Sequence, residues 1–306
     1  MSCEDVLSPT HSVDPRQALA EQLEASGDYR VLRKLKLQAS YGEPDGPEYL
    51  GLIVDTETTG LNTATDKVFE IALLPFRYTE SGRVTQTLPG YSALGDPGVP
   101  ITTEITEITG VTSEMVAGKT FDRQAIDKIV SDAHLVIAHN ADFDRKMVER
   151  EFDIFKTKPW ACSFRQVPWG NLKYRAAKLD YIAMTAGLFF EAHRALADCE
   201  ALLHLMAIPS PEGSTPFSHL MASHLDPQVR IYAAGSPFDS KDKLRERRYN
   251  WNPEGQGRYP KCWSKKIRKA EAADEVAWLS ANVYGRTMTN LPVEEISPLN
   301  RYSVRE

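Results

Sequence analysis

A short apolar run that ends in two acids, Leu52-Ile53-Val54-Asp55-Thr56-Glu57-Thr58-Thr59-Gly60, constrains this chain more than any other stretch. Gly51 to Val54 is apolar and β-branched, the composition of a buried strand. Residues two apart on a strand share a face, so Asp55 and Glu57 project together from the strand's end. Two ionised carboxylates side by side repel each other, and burying them is costly unless a cation neutralises them. Hard oxygen ligands of this kind suit Mg²⁺ or Mn²⁺. The same pair also reads as an exposed acidic strand end before the Thr58-Thr59-Gly60 turn. The rest of the chain has to decide between the two.

With 306 residues the chain can hold one large domain or two smaller ones. No apolar run approaches the roughly 20 residues that span a bilayer. Met1-Ser2-Cys3-Glu4-Asp5 has neither a basic region nor an apolar core, so no signal peptide is expected. The four cysteines, Cys3, Cys162, Cys199 and Cys262, form no Cys-x-x-Cys pair, which argues against a structural zinc or a disulfide framework. A reducing cytoplasm and no membrane are the natural expectations. Charge is unevenly spread. Residues 228–270 hold 12 Lys/Arg against 4 Asp/Glu, or +8 where the whole chain is -6, so the remainder carries -14. An acidic body with a basic C-terminal segment suggests two tasks, one of them contact with phosphates.

Taken in order, residues 1–47 read as a disordered and helical extension. Residues 1–14 lack periodicity, Pro15 to Leu35 is helical with a break at Gly27-Asp28, and Tyr41 to Glu48 is a loop. The first strand, near 50–57, is followed by apolar Val68–Tyr78, a Glu80–Arg83 turn and extended Val84–Leu94, a meander. Helices are expected over Thr112–Ala117 and Asp122–Ser131. Asp132–Ala138 contains a buried strand ending at His139-Asn140. Asn140 is a plausible cap for a helix whose apolar stripe is Phe143, Met147, Val148 and Phe152. Helices over Lys178–Leu188 and Ala195–Met206 follow. Strands early, with helices after and between them, predict an α/β domain over 48–208. The Pro/Ser/Gly-rich stretch opening at Pro209 marks a linker over 209–227. A small basic, aromatic-rich α+β module is expected over 228–285 and an irregular tail over 286–306.

Two further acids fall where such a sheet brings them toward Asp55 and Glu57. Asp144 lies one turn into the helix after the Leu135–Ala138 strand, and Asp198 near the start of the last helix. Either alone reads as an ordinary acid at a helix N-terminus. His193 precedes Asp198 by five residues, which on one helix leaves the two about 140° apart. For both to reach one site, His193 must sit on the loop before the helix, and Phe189-Phe190-Glu191-Ala192 is consistent with a loop. Beside converging carboxylates, His193 becomes a candidate general base.

Three stretches, Val54-Asp55-Thr56-Glu57-Thr58-Thr59-Gly60, His139-Asn140-Ala141-Asp142-Phe143-Asp144 and His193-Arg194-Ala195-Leu196-Ala197-Asp198, resemble, in order, the three motifs of the DEDDh (DnaQ-like) exonucleases. That family includes the proofreading epsilon subunit of bacterial replicative DNA polymerase and RNase T. Ile105 to Thr112 also resembles the family's segment between the first two motifs, and the likeness covers roughly residues 50–208. It implies a ribonuclease H-like fold, a mixed five-stranded sheet flanked by helices. It carries the metal ligands onto Asp55, Glu57, Asp144 and Asp198 and the general base onto His193. The family's acid follows the aromatic residue, which selects Asp144 and not Asp142.

The implied chemistry suits these residues. Two divalent ions (Mg²⁺ or Mn²⁺) about 3.5–4 Å apart can bind a scissile phosphate, lower the pKa of a water and stabilise the leaving oxyanion. Nucleoside 5′-monophosphates released from a DNA 3′ end, single-stranded or frayed, are the expected products, in repair, proofreading or end trimming. Thr56, Thr58, the backbone at Gly60 and Asn140 are the expected substrate contacts. In the basic module, Lys243, Arg247, Arg248, Trp251 and Trp263 combine cations for phosphates with rings for stacking. Those aromatics equally suit the core of a module of about 60 residues. An exoribonuclease would use the same catalytic set, since sugar choice depends on the 2′ pocket. A non-catalytic nucleic-acid-binding subunit is the remaining alternative, against which the intact five-residue set argues. The resemblance allows a polymerase or repair partner, though no feature of the chain itself argues for one.

Overall fold

The computed structural model describes residues 14–210, 212–255, 259 and 261–306; most of the N-terminal stretch expected to be disordered therefore lies outside the described residues. The chain's centre is β1 (Glu48–Thr58). It pairs antiparallel with β2 (Val68–Thr79), whose other edge takes β3 (Val84–Thr87) and β4 (Tyr91–Leu94). On its far side β1 pairs parallel with β5 (Leu135–Ala138), and β5 with β6 (Trp160–Cys162). The sheet is mixed, as expected, but has six strands and not five. The extra one arises because β2, 12 residues long, is shared along one edge. β3 pairs with Phe76 to Tyr78, the chain breaks at Pro89-Gly90, and β4 pairs with Glu70 to Leu73.

Successive residues of β1 enter opposite cores. Ile53 packs with Leu74, Phe76, Cys199 and Leu202, while Leu52 and Val54 pack with Leu73, Val130, Met147 and Val148. Both faces are covered, which explains why β1 reads as an unbroken apolar run.

The helices follow in chain order. α1 (Pro15–Ala25) starts at a Pro, is capped by Asp14, and buries no residue. The expected second half of this helix is instead extended, and Arg33–Lys34 forms a two-residue parallel ladder with Leu188–Phe189. α2 (Thr103–Thr109) was not anticipated; Thr102 caps it and Gly110 ends it at φ 71°. α3 (Arg123–Asp132) and α4 (Ala141–Glu151) cover the Leu52/Val54 face. α5 (Leu179–Thr185) stops short of the expected Leu188, because the chain turns at Gly187, φ 80°. α6 (Ala195–Ala207) covers the Ile53 face.

The expected linker over 209–227 is largely a helix, α7 (Pro216–Leu225). Thr215 and Ser218 form a reciprocal capping box and Pro216 opens the first turn. Phe217 is fully buried, edge-on to Phe76 at 5.5 Å and to Tyr78 at 5.3 Å. α7 thus belongs to the α/β core.

The C-terminal module is an antiparallel sheet of β7 (Gln228–Ala233), β8 (Asn250–Asn252), β9 (Cys262–Arg268) and β10 (Val293–Ile296), in the order β8-β9-β7-β10. α8 (Lys241–Glu246) and α9 (Ala272–Leu279) flank it, with Val229, Ile231, Leu244, Tyr249 and Leu279 in the core. The tail, expected to be irregular, supplies β10 and then docks on the α/β domain. Arg145 of α4 is fully buried. Its guanidinium donates to the carbonyls of Pro298 (3.2 Å), Leu299 (2.6 Å) and Arg301 (2.7 Å) and pairs with Glu149 at 2.7 Å. Carbonyls of a distant segment have no signature in the sequence around Arg145, so the docking was not foreseeable. Among the described residues no helix is long and apolar enough to cross a membrane.

Candidate active site

Asp55 and Glu57 lie at the last turns of β1 and face α6. Their antiparallel partners on β2 are Ala72 and Glu70, and a register shift follows between Glu57 and Thr58. Asp198 enters from the first turn of α6, its carboxylate accepting the Arg194 backbone N–H at 3.2 Å. Oxygens of Asp55, Glu57 and Asp198 all lie within 4.8 Å of one another. Asp144 arrives from α4, on the opposite face of the sheet, and is buried. Thr56, between the two β1 acids, points to that face and donates its hydroxyl to Asp144 Oδ1 at 2.9 Å. Asp144 is not one of the three mutually close acids, so the expected set of four is arranged as three plus one.

Burial dominates the electrostatics, and neighbouring acids add to it. Asp55 is held well above the usual carboxylate range by burial, then by Asp144, Asp198 and Glu57. Glu57 is pushed up to about 8 by burial and the charges of Asp198 and Glu70. Asp144 rises to about 7 through burial, against the opposing Thr56 hydrogen bond. Asp198 rises to about 6, burial being offset by His193 and by backbone N–H groups of His193 and Arg194. Such a set cannot ionise fully without a cation. Hard, like-charged, buried oxygens fit a divalent ion, and Asp55, Glu57 and Asp198 are close enough to share one.

His193 lies on the loop before α6, as the angular argument requires, and is exposed. Its φ of 64° is left-handed, which costs a non-glycine residue of the order of 1 kcal/mol. Arg194 reaches back to Glu70 at 3.5 Å. Glu70 is 1% exposed, and its Oε2 has no partner. This fifth acid escaped the sequence reading. Its one signal was a Glu inside the apolar run Val68-Phe69-Glu70-Ile71-Ala72. Hairpin register, which the sequence did not reveal, sets it opposite Glu57.

The expected substrate contacts fare differently. The Thr56 hydroxyl is committed to Asp144, where a nucleotide contact was expected. Thr58 donates to the Gly60 carbonyl at 2.7 Å, shaping the turn. A Cβ at Gly60 would stand 2.4 Å from Asp66 Oδ2, which accepts the Asn62 N–H at 2.7 Å, so a side chain there would displace that bond. Asn140 occupies the N-cap position of α4 but makes no capping bond there, and is exposed. His139 Nε2 meets the Ala177 carbonyl at 2.7 Å and Nδ1 meets Ser163 Oγ at 2.8 Å. The carbonyl can only accept, so Nε2 carries the proton and His139 is a brace. In the module, Arg247 pairs with Glu275 over the Trp278 ring, and Lys243 donates to the Asn282 carbonyl. Arg248 and Trp251 are exposed, while Trp263 is half-buried against Trp251. Arg247, Arg248 and Trp251 line a cavity of about 1070 Å³ on the module, whose walls include none of Asp55, Glu57, Asp144 and Asp198.

Comparison with known proteins accounts for this arrangement. Residues 52–206 match the sequence model of the RNase T exonucleases, spanning all three acidic motifs. DNA polymerase III subunit epsilon of Treponema pallidum is 27% identical over 164 residues, 49% of this chain and 72% of that one. A PolC-type DNA polymerase III of Thermotoga maritima is 27% identical over 175 residues, 55% of this chain. The chain spans only 12% of that polymerase. Among solved structures, exonuclease X with 5′-overhanging duplex DNA aligns at TM-score 0.39 and 24% identity, over 55% of this chain and 99% of that one. An E. coli ExoI–ssDNA complex aligns at TM-score 0.44 and 16% identity, over 72% and 63%. With the matched residues covering half the chain and the acids at the end of its central strand, this protein belongs to the RNase T exonuclease family.

Proposed function

We propose that the protein is a metal-dependent 3′–5′ exonuclease that hydrolyses DNA and releases nucleoside 5′-monophosphates. The observation that carries this reading is the approach of Asp55, Glu57 and Asp198 within 4.8 Å beside a braced Asp144. Asp55, Glu57, Asp144 and Asp198 would hold two divalent ions, Mg²⁺ or Mn²⁺. When bound, these supply Lewis acidity at the scissile phosphate and neutralise the carboxylates. His193, exposed beside Asp198, takes the proton of the attacking water on a ring nitrogen. Asp198, whose carboxylate accepts the Arg194 backbone N–H at 3.2 Å, lies close enough to His193 to feel its charge. Thr56 keeps Asp144 aimed at the site. DNA is preferred as substrate because the Treponema and Thermotoga relatives are named as DNA polymerase III proteins, and a polymerase partner is proposed on the same ground. We further assign residues 48–208 to the exonuclease domain, with α7 added to its core, and 228–296 to an appended module.

The test is digestion of matched 5′-labelled single-stranded DNA and RNA, with Mg²⁺ and with chelator. A Mg²⁺-dependent ladder shortening from the DNA 3′ end is expected. It should be absent in Asp198→Ala, and 10²–10⁴-fold slower in His193→Ala. A ladder on RNA alone would make the protein an exoribonuclease. Binding without cleavage would make it an accessory subunit.

A further inference from the structure

The seam between the exonuclease domain and the C-terminal module encloses a second cavity, of about 380 Å³. Three parts of the chain supply most of its donors. Arg165 and Gln166 follow β6, Gln228 and Lys266 belong to the module's sheet, and Arg301 and Tyr302 belong to the docked tail. The wall is rich in hydrogen-bond donors, and several have nothing to donate to. Arg301 is 2% exposed, yet its Nε and Nη1 make no hydrogen bond, and only Nη2 finds the His224 carbonyl at 3.3 Å. Gln166 is 7% exposed. Its Oε1 accepts from the Cys162 N–H and the Tyr302 hydroxyl, while Nε2 has no acceptor.

Buried donors without acceptors are rare in folded proteins and each one calls for a reason. Here three nitrogens on two side chains lack acceptors around one cavity, which calls for an anion. Two carboxylates also border the cavity; both have cations of their own, and the Glu306 charge reaches Arg301 without a hydrogen bond to its Nε or Nη1. Asp142 pairs with Lys146, and Glu306 with Arg230 and Lys266. Arg165, exposed at the rim, lies over the Phe164 ring and has no ion pair among the described residues.

We infer that this seam is an anion site that takes a phosphoryl group, with Arg301 and Gln166 as its buried donors and Arg165 at its mouth. Its position ties it to the nuclease. Asp142 borders the cavity and Asp144 belongs to the acidic site, both in the first turn of α4 and about 200° apart around it. A phosphoryl group in the seam would lie across that single helical turn from the catalytic acids. Two sources offer this chemistry: a backbone phosphodiester of a bound strand, or the phosphate monoester of a free nucleotide. The site is also built from both domain and module, so the module contributes to binding through the seam.

The experiment is done on the full chain in chelator, so that neither catalysis nor the acidic metal site contributes. Thermal unfolding is followed against inorganic phosphate and against deoxyadenosine monophosphate, with chloride at matched ionic strength. Binding of a labelled single-stranded oligonucleotide is read by anisotropy. Wild type is compared with Arg301→Gln, and with Arg165→Gln in case the buried change impairs folding. A saturable rise with either phosphate, lost in the variants, establishes the site. If oligonucleotide affinity also falls about fivefold or more in the variants, the source is the strand backbone; if it is unchanged, the source is a free nucleotide. No saturable response in wild type, or equal responses in wild type and both variants, overturns the inference and leaves the nuclease reading untouched.

Discussion

Thr56 Oγ1 and Asp144 Oδ1 lie 2.9 Å apart across the end of the central sheet, and this bond joins the two halves of the acidic site. Asp55 and Glu57 face α6, while the residue between them holds the acid that comes from α4. Groups that orient metal-binding carboxylates typically change metal affinity or activity 10–100-fold when removed. Thr56→Val keeps the shape and removes the donor. The Mg²⁺ concentration for half-maximal activity should rise by about that factor, whereas Thr56→Ser, which keeps the hydroxyl, should stay near wild type. An unchanged Mg²⁺ titration in Thr56→Val would show that Asp144 needs no brace.

The raised carboxylates give the metal-free protein an unusual dependence on pH. Glu57, Asp144 and Asp198 titrate near 8, 7 and 6 in the folded chain, above their ordinary values of 4.5, 3.8 and 3.8. Through these three groups the folded state binds more protons than the unfolded one, a difference that His224, lowered by burial to about 4 from 6.5, opposes only below about pH 6.5, so it stands clear between about pH 6.5 and 8. Stability then falls as pH rises, since the slope follows protons bound unfolded minus protons bound folded. In chelator, the melting temperature should drop across this window and level off above it. Mg²⁺ should raise it more at pH 8 than at pH 5. Asp55→Asn, which removes the most perturbed charge, should melt a few degrees higher than wild type in chelator at pH 8, while losing nuclease activity. A metal-free melting temperature that climbs from pH 6.5 to 8 would contradict the charge cluster.

Much of this site could be read from the sequence because it rests on short-range geometry. The two-residue period of a strand sets Asp55 beside Glu57, and the 100° step of a helix places His193 off α6. What could not be read depends on long-range pairing. Glu70 joins the site only through the register of β1 against β2. That Thr56 gives its hydroxyl to Asp144 could not be read either, because nothing in the sequence says which face α4 covers. The α7 helix was hidden by the Pro- and Ser-rich stretch before it, although Thr215-Pro216 with Ser218 spells its N-terminus. The tail's role depends on Arg145, 153 to 156 residues from its carbonyl acceptors.

That Arg145 anchor should matter to stability. Its guanidinium is fully buried and satisfies three tail carbonyls and Glu149. Removing it leaves buried tail carbonyls without a donor, at about 1–3 kcal/mol for each one left unsatisfied, while Glu149 keeps Arg305 at 2.6 Å. Arg145→Met preserves the bulk over the Trp160 ring while removing the charge. It should lower the denaturant midpoint by a corresponding amount and expose the 297–306 tail to proteases at native conditions. A midpoint within experimental error of wild type would mean that the tail docks without it.

Glu70 and Arg194 should tune the acid limb of the nuclease in opposite directions. With Glu57 as a ligand, as proposed, metal binds only after its proton leaves, so activity at limiting Mg²⁺ should rise as that proton is lost. Glu70's charge raises the proton affinity of Glu57, and Arg194 lowers it. Glu70→Gln should therefore move the acid limb to lower pH, and Arg194→Gln should move it to higher pH. Each shift should be about one unit or less, since Arg194 is half exposed and partly screened by solvent. In Arg194→Gln, Glu70 is also left buried without its cation, so that variant should melt below wild type and Glu70→Gln should not. The paired readout separates electrostatic tuning from simple damage to the fold. Misfolding would lower the rate at every pH in both variants, whereas tuning displaces the two profiles to either side of wild type. Profiles that moved in the same direction would remove Glu70 from the site's electrostatics.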